Sequence, residues 1–405
     1  MRLQEKIGLL VVVCVGIAGA FSTGGSQANL QAQDAADLKK GEVAEQQIEV
    51  IKNYDKNYLK KDHVEPSKTG FRDPLDVPAR ISPLAAKSML NGIASAGSRM
   101  VAAGVRGHII YSDDKGNSWL QSKVSLSEDL TAVSFPTPKQ GWAVGHDGVV
   151  LHSADGGVTW TKKLDGYGAC RIMNKYYKEH PVSGKLQTDI QFMIEQGPVY
   201  PFLDVWFENE SVGFIVGAFN LIFHTRDGGK SWEPWFDRTD NPGGMHLYSI
   251  RPVGKDVFIS GEQGLVLKLD SQAKRFRAQK TPYNGTFFGI VGKPGALVAF
   301  GMRGNIFRSG DGGASWQKVN TGVQAAILGG TVKNDGSIIL VSQSGNVLLS
   351  KNNGESFTEV NRVAGLGIPA HAVAVADDNT LVVAGWFGVK IQKIQRAPVE
   401  TTRNM

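Results

Sequence analysis

The sequence predicts an all-β fold, a seven-bladed β-propeller built on Asp-box repeats, from two observations. First, one unit recurs: Gly145 to Trp160 reads GHDGVVLHSADGGVTW, and the same order returns at Gly104 to Trp119, Gly217 to Trp232 and Gly301 to Trp316. Second, degenerate copies begin at Gly261, Ser342 and Gly385, which completes seven units stepping by 41, 72, 44, 40, 41 and 43 residues. A period of 40 to 50 with room for about four short strands is the mark of sheets stacked around an axis, because one such sheet cannot bury both of its faces.

Residues 1–28 read as a signal peptide. Arg2 and Lys6 precede an apolar run from Ile7 to Phe21, and Ser26-Gln27-Ala28 offers the small residues that a signal peptidase reads. The run is shorter than the roughly 20 residues of a bilayer-spanning helix, so an exported protein, periplasmic or lumenal, is expected, with an uncleaved anchor as the alternative. Cleavage removes Arg2, Glu5 and Lys6, lowering the net charge from +6 to +5. No run of like charges reads as a nucleic-acid arm, so nucleic acid is not an expected partner. Cys170 would be the one remaining cysteine; without a second it forms no internal disulfide, and packing must hold the exported fold.

Residues 29–75 form a polar leader in which Val43, Ile48, Ile51, Tyr54 and Tyr58 keep a helical spacing between Glu42 and Leu59. The propeller is expected over 76–396, followed by a tail at 397–405. Its last unit has strands near His371 to Val375, Leu381 to Gly385 and Val389 to Ile394 but no fourth strand of its own. Asp76 to Ile81 is therefore expected to pair with it and close the ring, removing an open edge. The step of 72 holds one period and roughly 30 extra residues. This insertion, 163–200, is rich in Tyr, Lys and Gln, and an ordered loop or hairpin across one face is expected.

The box itself is turn chemistry. Its residues are Ser112, Asp114, Gly116 and Trp119; Ser153, Asp155, Gly157 and Trp160; Thr225, Asp227, Gly229 and Trp232; and Ser309, Asp311, Gly313 and Trp316. Glycine takes positive φ, the carboxylate and hydroxyl bond backbone groups left over at the turn, and the Trp ring is expected to pack on the next unit. A structural role is assigned to all four boxes.

Strand order separates the two faces. The boxes are third-to-fourth turns, so the second-to-third turns share the opposite face with the insertion. Their residues are Val105-Arg106, His146-Asp147, Ala218-Phe219-Asn220, Glu262-Gln263, Met302-Arg303, Gln343-Ser344 and Trp386-Phe387. A partner-binding face is assigned to Arg106, His146, Asp147, Asn220, Glu262, Arg303 and Trp386, since Arg and aromatic residues are the usual interface anchors. His152 and His224 occupy equivalent positions that radiate rather than converge, so no metal and no cofactor is expected.

Asp boxes also occur in sialidases, and glycan binding or glycoside hydrolysis is the alternative reading. That chemistry needs an arginine cluster and paired acidic groups on the central face. The nearest approach to a Phe-Arg-Ile-Pro signature, Phe71-Arg72-Asp73-Pro74, lies outside the repeats, and no Tyr/Glu pair stands at repeat-equivalent positions. No catalytic residue is assigned, and a non-enzyme is expected.

Seven units, G-x-x-G-x-[Ile/Val/Leu] ahead of the box, and the phrase Gly141-Trp142-Ala143-Val144-Gly145 together resemble the photosystem II stability/assembly factor family of BNR-type seven-bladed propellers. The resemblance covers about Pro83 to Ile394. It implies a non-enzymatic assembly or accessory factor that holds a membrane protein complex or its assembly intermediate, with peripheral membrane association compatible and a monomer expected. Exported bacterial relatives of this kind include some linked to transporters of the resistance-nodulation-division type. The insertion, the charged leader and the modest net charge depart from the photosynthetic pattern.

Overall fold

The computed structural model describes residues 72–362 and 369–394; the expected signal peptide, the expected helix at Glu42 to Leu59 and the expected tail lie outside them. Seven antiparallel sheets follow one another in chain order. In the first, Leu90–Ala96, Arg99–Gly104, Ile109–Ser112 and Leu120–Gln121 form a meander. The second strands are the most deeply buried: Gly141–Gly145 and Ile338–Ser342 are buried at every residue. Such continuous burial is what a sheet packed on both faces demands. Among the described residues, no helix is long and apolar enough to cross a membrane.

One contact recurs between sheets. At the five seams where the following sheet carries a box or its degenerate copy, the residue three positions before the end of the second strand abuts the box glycine. A Cβ on Gly157 would lie 3.1 Å from Val101, one on Gly229 2.5 Å from Trp142, and one on Gly354 2.7 Å from Val298. The box therefore leans on the preceding sheet, correcting the expectation that its Trp packs forward. Trp232 accordingly meets Trp142 edge-on at 6.2 Å.

Ring closure also differs from the expectation. Asp76 to Ile81 forms no strand, and the last sheet, Ala370–Asp377, Thr380–Gly385 and Gly388–Lys393, is three-stranded among the described residues. Pro78 and Pro83 lack the N–H that a ladder strand donates, and Asp73 caps a 3-10 turn at Pro74–Asp76 by accepting from Leu75 N at 2.9 Å. The segment instead lies along the seam between the first and second sheets, where Ala79 N donates to Val124 O at 3.1 Å. Lys123–Val124 in turn adds to the second sheet as a fifth, parallel strand beside Thr159 and Trp160. At the closing seam, Gly116 sits against Val382, and Lys115 Nζ pairs with Asp377 at 3.1 Å.

The insertion folds as two helices, α1 (Gly166–Glu179) and α2 (Gly184–Gln196), rather than as the loop or hairpin expected. Asp165 caps α1 by accepting from Gly168 N at 2.9 Å. Tyr167, Cys170 and Met173 from α1 and Ile190, Met193 and Ile194 from α2 join the core shared by the first three sheets. Their spacing of three and four residues places them on one helical stripe.

Candidate functional site

One hydrogen bond anchors the second-to-third turn in all seven sheets. The first turn residue donates its N–H to the carbonyl just ahead of the sheet's first strand, from Val105 to Met89 O (3.2 Å) round to Trp386 to Pro369 O (3.3 Å). This bond draws two backbones together. A Cβ on Gly145 would lie 2.2 Å from Asp129 O, so close approach requires glycine there, its φ of −172° being ordinary extended backbone. In the first five sheets the second turn residue then takes positive φ: 57° at Arg106, 50° at Asp147, 53° at Phe219 and Gln263, and 56° at Arg303; in the sixth and seventh only the following glycine does, Gly345 at 78° and Gly388 at 88°.

Arg106, Gln263, Arg303 and Phe387 are exposed on these turns, whereas His146, Asp147, Phe219, Glu262 and Trp386 are half-buried. Asn220 is the exception among the residues assigned to a binding face. It is buried, standing at positive φ where other sheets have glycine, and its side chain bonds Phe236 O, Thr239 and Asn241 at 2.9 to 3.1 Å. Buried, with its amide oxygen and nitrogen both bonded inside the fold, Asn220 has a structural role; this corrects its assignment.

Neighbouring turns are tied in pairs. Asp129 accepts from Arg106 N at 2.7 Å, while its carbonyl accepts from His146 N at 2.9 Å. Two blades further on, between the third and fourth sheets, His246 Nδ1 accepts from Phe219 N at 2.9 Å, and Glu262 accepts from His246 N at 3.0 Å. Arg106 is thus linked to His146, and Phe219 to Glu262. Arg303 and Trp386 join neither link.

The sector around the second blade is electrostatically unusual. Burial pushes the Glu128 carboxyl up to about 7, with Asp147 adding repulsion. Burial, then the charge of Asp73, pushes Asp147 up to about 6. Glu128 and Asp129 escaped the sequence reading because they belong to the connection between sheets, which carries no repeat pattern.

The opposite face carries the boxes. Ser112 Oγ donates to Asp114 and accepts from Gly116 N, both at 2.8 Å; Ser118 donates its N–H and hydroxyl to the same carboxylate at 2.8 and 2.6 Å. Trp119 Nε1 closes the turn on Gly116 O at 2.9 Å. These hydrogen bonds, led by that from the Ser118 hydroxyl, hold the Asp114 carboxyl down to about 2. The sixth sheet keeps the geometry with neutral Asn352, which accepts from Ser350 Oγ and Ser356 N. Trp232 Nε1 and His224 Nδ1 are buried without a partner, the former beside the large Trp142 ring.

Along the axis runs a channel of about 650 Å³ lined by the first strands. Its charged residues are Asp204, Arg251 and Asp377. Asp204 is paired with Arg251 and also accepts from Ile250 N, and Asp377 is paired with Lys115. Each carboxylate of the lining is thus held in an ion pair. Among the described residues no group of three His, Cys, Asp or Glu could hold a metal.

The sequence pattern of one family, described as photosynthesis system II assembly factor YCF48, matches residues 89–167 and 188–382, well over half of the chain. The chain belongs to that family. A curated relative, the photosystem II assembly lipoprotein Ycf48 of Synechococcus sp. (strain CC9902), is 30% identical over 129 residues, 31% of this chain and 38% of the relative. The chain thus aligns with less than two-fifths of that relative's length. Two solved YCF48 structures share the fold: one described as bound to a D1 peptide (TM-score 0.57, 15% identity, covering 77% of this chain and 95% of that one) and one from Cyanidioschyzon merolae (0.56, 17%, 77% and 97%). The YCF48 pattern skips residues 168–187, which hold most of α1 and the start of α2.

Proposed function

We propose that this chain is a non-enzymatic docking propeller that holds a protein component of a membrane complex, or an intermediate in its assembly, in an exported compartment. The docking face carries Arg106, Glu262, Arg303, Trp386 and the helical insertion. Family membership is the observation that carries the reading: one YCF48 structure is described as holding a D1 peptide. Chemistry supports it as well. The box carboxylates are consumed by turn hydrogen bonds, and the channel acids are consumed by ion pairs, so neither set is arranged as an acid and a nucleophile. What remains distinct from blade to blade is the set of side chains on the turns, and non-repeating anchors are what specific recognition of one partner needs.

The test is charge reversal on the exposed arginines. Arg106→Glu with Arg303→Glu should abolish capture of the partner from detergent-solubilised membranes while leaving thermal unfolding unchanged. Capture that survives both reversals overturns the assignment of this face.

A further inference from the structure

The first strand of every sheet breaks register at the same place. In the first sheet Leu90 pairs with Gly104 and Gly92 with Ala103, leaving Asn91 as an extra residue. The six other first strands skip one residue at the equivalent position. A bulge of this kind re-aims the side chain it carries. Each bulge adjoins the residue that leads into the second-to-third turn, so all seven lie at the turn-face end of the axial channel, and all seven residues line it.

The bulge is a device of the fold, but the chemistry it presents is not repeated. The third to sixth sheets contribute Leu203, Tyr248, Phe288 and Leu328, an unbroken apolar and aromatic arc in which the Tyr248 and Phe288 rings meet edge-on at 5.4 Å. The seventh, first and second contribute His371, Asn91 and Thr131. These polar groups are bonded within the fold: His371 Nδ1 to Asn91 Oδ1 at 3.2 Å, Asn91 to Leu130 O at 2.8 Å, and Thr131 to Phe202 O at 2.7 Å. The four members of the arc remain half-buried.

We propose that this collar is a binding site for one uncharged hydrophobic side chain, aromatic or branched aliphatic, presented by an extended segment of the docked protein. The inference rests on the docking reading above and deepens it. Charge selects the class of guest: the channel's carboxylates are already paired with Arg251 and Lys115, so an ion entering would lose its hydration without gaining a counter-charge. Apolar surface, by contrast, gains in proportion to the area it removes from water. The channel's volume falls in the range of pockets that enclose small ligands, ample for a single side chain. Because its mouth lies among the docking turns, a segment crossing that face reaches the axis without leaving the interface.

The test places a photoreactive p-benzoylphenylalanine at position 288, or at 328, of the full chain in its native host, with position 263, exposed on the same turns, as reporter of the face. The expected result is a cross-link from 288 and 328 to an uncharged hydrophobic residue, or its immediate neighbour, on the same partner that 263 captures. In addition, Leu328→Asn and Phe288→Ala should each weaken capture at least tenfold at unchanged thermal unfolding, while Leu328→Met retains it. Cross-links from 263 alone overturn the collar and leave the docking face standing. Cross-links from 288 to a charged segment or to a non-protein molecule also overturn it. Absence of cross-links from all three positions overturns both readings.

Discussion

Trp142 lies flat on Phe207, ring centroids 4.2 Å apart and planes within 5°, across the seam between the second and third sheets. The stack occupies the place that Val101 or Val298 fills at other seams, and it backs directly onto Gly229. Removing a ring so enclosed leaves a cavity that close-packed sheets cannot collapse. Trp142→Ala should therefore cost about 3–5 kcal/mol of unfolding free energy. Trp142→Phe keeps a stacked ring and deletes the buried, unpartnered Nε1, and should cost less than about 1.5 kcal/mol. Denaturant midpoints of the two variants check the ordering.

Gly145→Ala should destabilise although its backbone is merely extended. The added Cβ would lie 2.2 Å from Asp129 O, forcing apart the bond from His146 N that fixes the turn. Overpacking of this kind costs about 1–3 kcal/mol. Gly184→Ala, where nothing lies within 4 Å, should lose only about 1 kcal/mol, the left-handed backbone term. Equal losses in chemical denaturation would sink the close-approach account.

Acid should loosen the boxes within a defined window. Asp114 is held down to about 2, below the value near 3.9 of an unfolded chain. Its contribution is complete above about pH 4 and is lost as pH falls toward 2, because protonation removes the acceptor that Ser118 and Ser112 use. Asp114→Asn should flatten that part of a plot of melting temperature against pH, as measured by circular dichroism.

Glu128 has the opposite sign. Its folded pKa near 7 exceeds the unfolded value near 4.3, so the native state binds the extra proton and stability falls as pH rises from about 4 to 7. Glu128→Gln should raise the melting temperature at pH 8 and change it little at pH 4. An equal shift at both values would show that burial and the charge of Asp147 are not what Glu128 opposes.

Cys170 is buried on α1, and burial pushes its thiol up to about 12. Thiolate is the reactive form, and little of it exists at neutral pH. In a Cys14→Ser background the native chain should resist Ellman's reagent and react only on unfolding, a contrast read directly from absorbance at two denaturant concentrations.

The sequence by itself determined the repeat, the count of seven sheets, the boxes and the turns between second and third strands. The repeat and the count follow from one period recurring along the chain, and the boxes and turns are decided within a few residues: Ser112, Asp114, Gly116 and Ser118 find one another inside a single turn whatever surrounds it. It also located the last unit's three strands and the place of the insertion. Only the tertiary structure decided that the boxes lean on the preceding sheet, that Asp76 to Ile81 follows Val124 instead of the last sheet, and that Asn220 faces inward. The helices of the insertion were partly legible, since Tyr167, Cys170 and Met173 keep a helical spacing, but Tyr and Lys among them blurred the stripe. Asn91, Phe288 and His371 were invisible as a set. A bulge exists only relative to the strand it pairs with, and a shared axis exists only once seven sheets have closed around it, so neither leaves a mark in the local order of residues.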